Sequence, residues 1–113
     1  MLSWTPLTSL EELNQLDQHS HQRPCGIYKH SNRCHISSMA KSNLEEDWRL
    51  EEGAINMYFL DVIEHRAIAR EVADRYQVAH QSPQILVIRD GECTYEAAQL
   101  DITFEELEEC YLD

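Results

Sequence analysis

The stretch that decides the fold is residues 25–37, which read CGIYKHSNRCHIS and join a strand to a helix. Residues 25–30 have the length and residue types of a β-strand, and the polar residues 31–33 interrupt that pattern. From Cys34 onward apolar side chains recur every four residues, which predicts an amphipathic helix to about residue 51, ended by Gly53. The apolar face of this helix should consist of Ile36, Ala40, Leu44 and Trp48.

Helices and strands alternate on both sides of this unit. Capping boxes at Ser9 and Thr103 mark the starts of two helices, and Asp90-Gly91 is a strong hairpin signal. The predicted elements are, in chain order, an optional short strand at 2–5, a helix at 9–17, a strand at 25–30, a helix at 34–51, a strand at 54–62, a helix at 66–76, strands at 84–88 and 92–95, and a helix from 103.

This order predicts an α/β protein with a thioredoxin-like fold. Strands that alternate with helices before a terminal hairpin imply a central mixed sheet of four to five strands, flanked by helices on both faces. The chain has 113 residues, about the size of one domain. We therefore expect residues 1–113 to form a single thioredoxin-like domain.

The charge balance of the chain is strongly acidic. Nine Lys and Arg residues against 21 Asp and Glu residues give a formal net charge of -12. Such a surface repels phosphate backbones and anionic lipid headgroups, so we expect neither nucleic acid nor membrane partners. The first residues lack a basic segment followed by an apolar one, which predicts a cytoplasmic protein. The four cysteines are too few and too scattered for the disulfide framework of a secreted protein.

Cys34 is the residue on which we expect the chemistry to depend. Because it begins a helix, its sulfur can face the unpaired amides and the partial positive charge of the helix N-terminus, which stabilise the thiolate form. Four nearby side chains can supply cations that add to this effect: Lys29, His30, Arg33 and His35. The alternative is an inert cysteine that merely starts a helix.

Ser37 and Pro83 complete the predicted site. Ser37 stands three residues after Cys34, where a C-x-x-C redox pair has its second sulfur. A hydroxyl cannot resolve a mixed disulfide but can donate a hydrogen bond to the thiolate, so we predict a monothiol mechanism with Cys34 and Ser37 as catalytic residues. Pro83 directly precedes a strand, where a thioredoxin-like sheet carries a cis proline facing the reactive sulfur. The expected substrate-binding residues are Arg33, His35, Ser82 and Pro83.

The chain resembles a known family at four successive landmarks. These are KHS at 29–31, CHIS at 34–37, HQSPQ at 80–84 and DG at 90–91. In order and spacing they are similar to those of the YtxJ-like monothiol bacilliredoxins, thioredoxin-like proteins of the bacillithiol system in bacteria. The resemblance implies that Cys34 is the attacking cysteine, that Ser37 makes the protein monothiol, and that Pro83 is the active-site cis proline.

The resemblance also implies a reaction, the removal of the low-molecular-weight thiol bacillithiol from a protein mixed disulfide. Cys34 would attack that disulfide and carry the small thiol until another thiol regenerates it. No tightly bound cofactor and no metal are expected, and bacillithiol would be the thiol co-substrate. The partners would be S-thiolated cytosolic proteins, and we expect a monomer or weak dimer.

Two departures from the family pattern concern the site. The family usually has proline directly after the cysteine, whereas this chain has His35, for which two effects are open: electrostatic tuning of the thiolate, or an altered helix start. Before the last helix the family tends to show a Ser-His pair, and this chain has QLDI at residues 99–102 instead.

Other readings of the same residues remain open. The C-x-x-S outline is shared with monothiol glutaredoxins that hold an iron–sulfur cluster, although His35-Ile36 replaces their Gly-Phe. The protein could also be a thioredoxin-fold adaptor without turnover. A zinc site would use Cys25, His30, Cys34 and His35, at a spacing typical of no zinc module. A resolving role for another thiol would fall to Cys25, Cys93 or Cys110.

Overall fold

The computed structural model describes residues 2–112. Five strands and four α-helices follow one another in the predicted alternation. Their bounds are β1 (Trp4–Pro6), α1 (Leu10–His19), β2 (Cys25–His30), α2 (His35–Asp47), β3 (Asn56–Asp61), α3 (Arg66–Tyr76), β4 (Gln84–Arg89), β5 (Glu92–Ala98), a short 3₁₀ helix (Gln99–Asp101) and α4 (Phe104–Leu112). None of these helices is long and apolar enough to cross a membrane.

The strands form one mixed sheet in the order β1-β3-β2-β4-β5. β1, β3 and β2 are parallel, whereas β4 runs antiparallel to β2, and β5 runs antiparallel to β4. Lys29 of β2 lies opposite Gln84 of β4 in this register. The segments that leave β2 and β3, enter β4 and leave β5 therefore emerge at the same edge of the sheet, which we call the functional edge.

Apolar residues fill both sides of the sheet. On one side, α1 and α3 pack on a core to which β2 contributes Cys25 and Ile27. On the other side, α2 and α4 pack on a core that includes Tyr28 of the same strand. Side chains alternate between the two faces along β2, as expected for a strand covered on both sides. The predicted thioredoxin-like α/β architecture with helices on both faces is confirmed, with five strands.

The turn between β4 and β5 has the predicted form. Asp90 and Gly91 have φ angles of 51° and 76°, the positive values that a two-residue hairpin turn requires. Ser20, at the end of α1, holds this turn: its carbonyl accepts from the amide of Asp90 and its hydroxyl from the amide of Gly91, both at 2.9 Å. The hairpin is thus tied to the α1 side of the sheet.

Helix α2 differs from the prediction in its end and its buried face. It ends at Asp47 rather than near residue 51, and Trp48 has an extended ψ of 123°. In this extended segment the Trp48 ring packs on Phe104 at a centroid distance of 5.2 Å, and Leu50 also reaches the core. The predicted face was wrong at Ile36, which is only half-buried, because Ser37 takes the buried position with Ala40 and Leu44.

Candidate active site at the functional edge

Cys34 lies at the N-terminus of α2, as the sequence predicts. It is the N-cap residue, with extended backbone angles, and its side chain is half-buried. Its amide donates to the carbonyl of Ser31 at 3.1 Å, and its carbonyl accepts from the amide of Ser37 at 3.1 Å. The first turn of α2 contains no acidic residue, so no carboxylate there opposes the positive end of the helix. The thiol of Cys34 is therefore partly accessible and lies at the positive end of a helix dipole.

The hydroxyl of Ser37 is buried and makes hydrogen bonds with the end of β2 and the turn that follows it. Ser37 is fully buried, and its Oγ accepts from the amide of Ser31 at 3.1 Å and lies 2.7 Å from Nδ1 of His30. Its carbonyl accepts from the phenol of Tyr28 at 2.6 Å. Among residues 2–112 the predicted hydrogen bond from Ser37 to Cys34 is not found. Ser37 instead pins the 31–34 turn to the end of β2.

The four side chains expected to supply cations near Cys34 have different surroundings. His30 packs between the rings of Tyr28 and Phe59, with centroid distances of 6.3 and 5.1 Å. Burial lowers the pKa of His30, and Lys41 lowers it further despite the opposing charge of Asp61, so the surroundings favour the neutral imidazole. Lys29 points to the opposite face of the sheet. The exposed residues Arg33 and His35 flank Cys34 directly.

Lys29 is a buried amine that contacts the loop before β4. Its side chain is fully buried, and its Nζ lies 3.2 Å from Nδ1 of His80. Burial lowers the pKa of Lys29 to about 8, although Cys93 and Glu96 favour the charged form. Burial and the charge of Lys29 both lower the pKa of His80. A neutral imidazole can thus accept from the ammonium group, linking β2 to the loop that carries Pro83.

The loop that contains Ser82 and Pro83 is held by Gln99. The Ser82–Pro83 peptide bond is cis. The side-chain amide of Gln99 donates to the carbonyl of Ser82 at 2.8 Å, and its backbone amide donates to that of Pro83 at 3.1 Å. The Ser82 hydroxyl is buried and has no hydrogen-bond partner among the described residues. Pro83 directly precedes Gln84, so this loop lies on the functional edge together with Cys34.

The remaining cysteines are placed differently from Cys34. Cys25 is fully buried, and its Sγ lies 3.7 Å from the carbonyl of Leu16 and 3.6 Å from that of Arg23. Burial raises the pKa of Cys25 to about 11, which disfavours the thiolate form that a resolving thiol needs. Burial also raises the pKa of Cys93, whose Sγ lies 3.2 Å from the carbonyl of Tyr95. Cys110 is half-buried on α4.

The four residues of the zinc alternative are not brought together. Cys25 and His30 lie at opposite ends of β2 and point to opposite faces of the sheet. Within residues 2–112 no group of three or more His, Cys, Asp or Glu side chains is placed to hold a metal ion.

The sheet order and the helix-start cysteine at its edge define a protein of the thioredoxin fold, and solved structures share this architecture. A thioredoxin-fold protein assigned as an oxidoreductase matches with a TM-score of 0.82 and 25% identity, covering 95% of this chain and 92% of that one. The thioredoxin of Malassezia sympodialis matches with a TM-score of 0.76 and 18% identity, covering 97% and 89%. Mitochondrial thioredoxin 3 of Saccharomyces cerevisiae matches at 0.73 and 21%, covering 96% and 93%.

The family follows from a second comparison. The family model of the monothiol bacilliredoxin BrxC matches residues 5–107, nearly the whole chain. The chain belongs to the monothiol bacilliredoxin family, and the family expected from the sequence is confirmed. Membership and the oxidoreductase relative together support a thiol–disulfide oxidoreductase function in general terms.

Sequence reasoning misses two parts of this edge. Gln99 holds both carbonyls of the 82–83 loop with a φ of 57°, and no local pattern marks a glutamine for that conformation. The contact between Lys29 and His80 joins residues 51 positions apart. One signal was present, since a lysine in an otherwise apolar, covered strand needs a buried partner.

Proposed function

We propose that this chain is a monothiol thiol–disulfide exchange enzyme that removes bacillithiol, or a similar low-molecular-weight thiol, from protein mixed disulfides. The observation that carries the proposal is the contrast among its thiols. Cys34 is half-buried at a helix N-terminus on the functional edge, whereas Cys25 is fully buried and has a pKa raised by burial. Family membership supports the monothiol mechanism, and Ser37 occupies the place of a local second thiol.

The proposed reaction is two successive exchanges at one sulfur. The Cys34 thiolate attacks the sulfur of the small thiol in the mixed disulfide, that S–S bond breaks, and a new one forms to Cys34. The substrate cysteine leaves as a thiolate and takes a proton from water. The thiolate of a second small thiol then attacks the sulfur carried on Cys34, yielding a small disulfide and free Cys34. That second thiol supplies the reducing electrons, so the chain itself needs no tightly bound cofactor.

The groups around Cys34 have different proposed roles in this exchange. The amides at the start of α2 favour the thiolate, both before attack and as leaving group in the second exchange. Ser37 fixes the turn that presents the sulfur, through the amide of Ser31. The proposed docking surface for the mixed disulfide consists of Arg33, His35, Ser82 and Pro83. S-thiolated cytosolic proteins are the proposed partners.

Mass spectrometry after single turnover tests this proposal. The reduced protein is mixed with a test protein that carries one bacillithiol mixed disulfide, and with a matched sample that carries glutathione. We expect one small-thiol adduct, located on Cys34, and formed faster from the bacillithiol sample. Cys34→Ser should abolish the adduct, whereas the matched variants Cys93→Ser and Cys110→Ser should retain it. An adduct on another cysteine, or release of the thiol by Cys34→Ser, contradicts the proposal.

A second readout separates an enzyme from an adaptor. An adaptor without turnover would bind the test protein equally well with Cys34→Ser and would leave its mixed disulfide intact. The exchange enzyme should lose all measurable release of the small thiol in that variant.

A further inference from the structure

A cavity of about 250 Å³ opens between α3 and the loop before β4. We call it the arginine cavity. Its walls are apolar on one side and its polar groups are cationic or neutral, and its lining residues are Val62, Ile63, Arg66, Ala69, Arg70 and His80. The exchange chemistry of Cys34 does not by itself require such a cavity.

The charge at the arginine cavity is unusual for this chain. Only nine Lys and Arg residues face 21 acidic ones, yet two of the nine line this space and none of its lining residues is acidic. Lys29 lies directly behind His80, 3.2 Å from its ring nitrogen. The cavity is therefore a local cationic site on an acidic molecule.

Neither arginine of the cavity is neutralised within the described chain. The ion pairs among residues 2–112 are His21–Asp90, Lys41–Glu45 and Arg75–Glu71. Arg75 lies on the same helix as Arg66 and Arg70 and does have a carboxylate partner. Asp61, at the start of the connection to α3, has a carboxylate that accepts from the amides of Ile63 and Glu64 at 3.0 and 3.1 Å. Two guanidinium groups are thus left for an external anion.

The arginine cavity opens at the same end of the sheet as Cys34, on the face that α3 covers. The amide of Val62 donates to the carbonyl of His30 at 3.0 Å. The chain then makes the short turn in which the Cys34 amide bonds to Ser31 at 3.1 Å. On its other side His80 precedes Pro83 by three residues. We infer that an extended group attached to the Cys34 sulfur reaches this cavity across the ends of β2 and β3.

We propose that the arginine cavity binds carboxylate groups of the low-molecular-weight thiol that Cys34 exchanges. Guanidinium groups pair with carboxylates through two parallel hydrogen bonds, and the wall of Val62, Ile63 and Ala69 suits the carbon skeleton between them. The volume fits a small organic group rather than a folded partner. This inference rests on the proposed function and adds the place in the fold where the acidic part of the small thiol binds.

A second cavity on the same edge sets the direction of binding. It is lined by Gln81, Ala97, Ala98 and Gln99, together with three acidic residues, Glu96, Asp101 and Glu106. A thiol that carries carboxylates is repelled there and attracted to the arginine cavity. The anionic arm should therefore point toward α3, leaving the β5 side for the protein substrate.

Small chromogenic disulfides test the inference. Mercaptosuccinate, which carries two carboxylates, and neutral mercaptoethanol are each joined to thionitrobenzoate, whose release by Cys34 is followed by absorbance. The readout is the ratio of the two second-order rate constants. For Arg66→Gln/Arg70→Gln we expect this ratio to fall about tenfold, since two exposed charge pairs are lost. The matched variant Arg49→Gln/Arg75→Gln removes the same net charge elsewhere and should keep the wild-type ratio.

A binding measurement separates the two proposals. Cys34→Ser, which cannot exchange, is titrated with succinate while backbone amide chemical shifts are followed. Saturable shifts confined to residues 62–70 and 80 support the cavity, and the Arg66→Gln/Arg70→Gln background should abolish them. Equal ratios in the two double variants, or no saturable shift, overturn the cavity. Shifts without any release of thionitrobenzoate by the wild type overturn the exchange function but not the carboxylate site.

Discussion

β2 begins at Cys25 and leads, four residues past its end, to Cys34, and the two thiols lie in opposite surroundings. Cys25 is enclosed by the apolar core under α1 and α3, where burial raises its pKa to about 11. Cys34 lies where the chain has left the sheet and the amides of a helix begin. The two thiols therefore differ in burial and in backbone setting, and we expect them to differ in reactivity as well.

The two ends of β2 also differ in their polar side chains. Lys29 and His30 are its last two residues, and each finds its partner across a different face, His80 on one side and Ser37 on the other. The start of the strand carries no such pair among the described contacts. The end of β2 therefore serves as the platform on which both the 31–34 turn and the 80–83 loop are fixed.

The largest expected difference between the two ends is in alkylation rate. At pH 8 iodoacetamide should modify Cys34 at least about 100-fold faster than Cys25, because the buried thiol is both inaccessible and protonated. Peptide mapping of the native protein over time gives both rates. Equal rates in denaturant provide the control, and a native Cys25 that reacts alongside Cys34 would contradict the comparison.

Replacing Lys29 should change how stability depends on pH. Because burial lowers the pKa of Lys29 from 10.5 to about 8, the unfolded chain binds more protons between these values, and wild-type stability gains from this residue as pH rises through that window. The gain is at most about 3 kcal/mol over the full window. Lys29→Met should lack it, as seen in urea denaturation at pH 7.5 and 10.

The quantity to compare is the difference in unfolding free energy between wild type and Lys29→Met at each pH. The phenols of Tyr28 and Tyr95 have pKa values raised to about 12 by burial, which lowers stability at high pH in wild type and variant alike. The groups facing Lys29 are His80, Cys93 and Glu96. If the unfolding free energies of the two proteins depend on pH in parallel, burial does not lower the pKa of Lys29.

Removing the Ser37 hydroxyl should cost about 2 kcal/mol of unfolding free energy. The variant Ser37→Ala leaves the amide of Ser31 and the Nδ1 of His30 without their buried partner. The exposed neighbour Ser38 supplies the control, since Ser38→Ala should change stability by less than about 0.5 kcal/mol. Similar values for both variants would mean that the hydroxyl does not fix the turn before Cys34.

The smallest expected effect is a loss of stability in mild acid. His30 and His80 both have lowered pKa values through burial, so below about pH 6.5 the unfolded chain binds more protons and stability falls. Glu12 and Glu45 contribute little between pH 6.5 and 5. Hydrogen bonds from Thr8 lower the pKa of Glu12, and hydrogen bonds from Lys41 and Trp4 lower the pKa of Glu45 despite its partial burial. His30→Asn/His80→Asn should flatten this part of the denaturation profile. An unchanged slope would assign the acid sensitivity to other groups.

The fold is predictable from the sequence wherever the deciding signals are local. β2 and α3 have the predicted bounds, and Ser9 accepts from the amide of Glu12 as its capping box requires. The end of α2 is not predictable in this way. Its last apolar residue, Trp48, continues the helical period in the sequence but contacts Phe104, 56 positions later, from an extended segment.

In the candidate site, too, local features are predictable from the sequence and long-range contacts are not. The position of Cys34 at a helix start depends on residues next to it, and the sequence alone determines it. The partner of Ser37 is decided by tertiary structure, as are the contact of Lys29 with His80 and the hold of Gln99 on the 82–83 loop. The contacts of Lys29 and Gln99 arise because the fold brings distant segments to one edge of the sheet, whereas Ser37 meets His30 because α2 packs back onto the end of β2. No local periodicity encodes which side chains then meet.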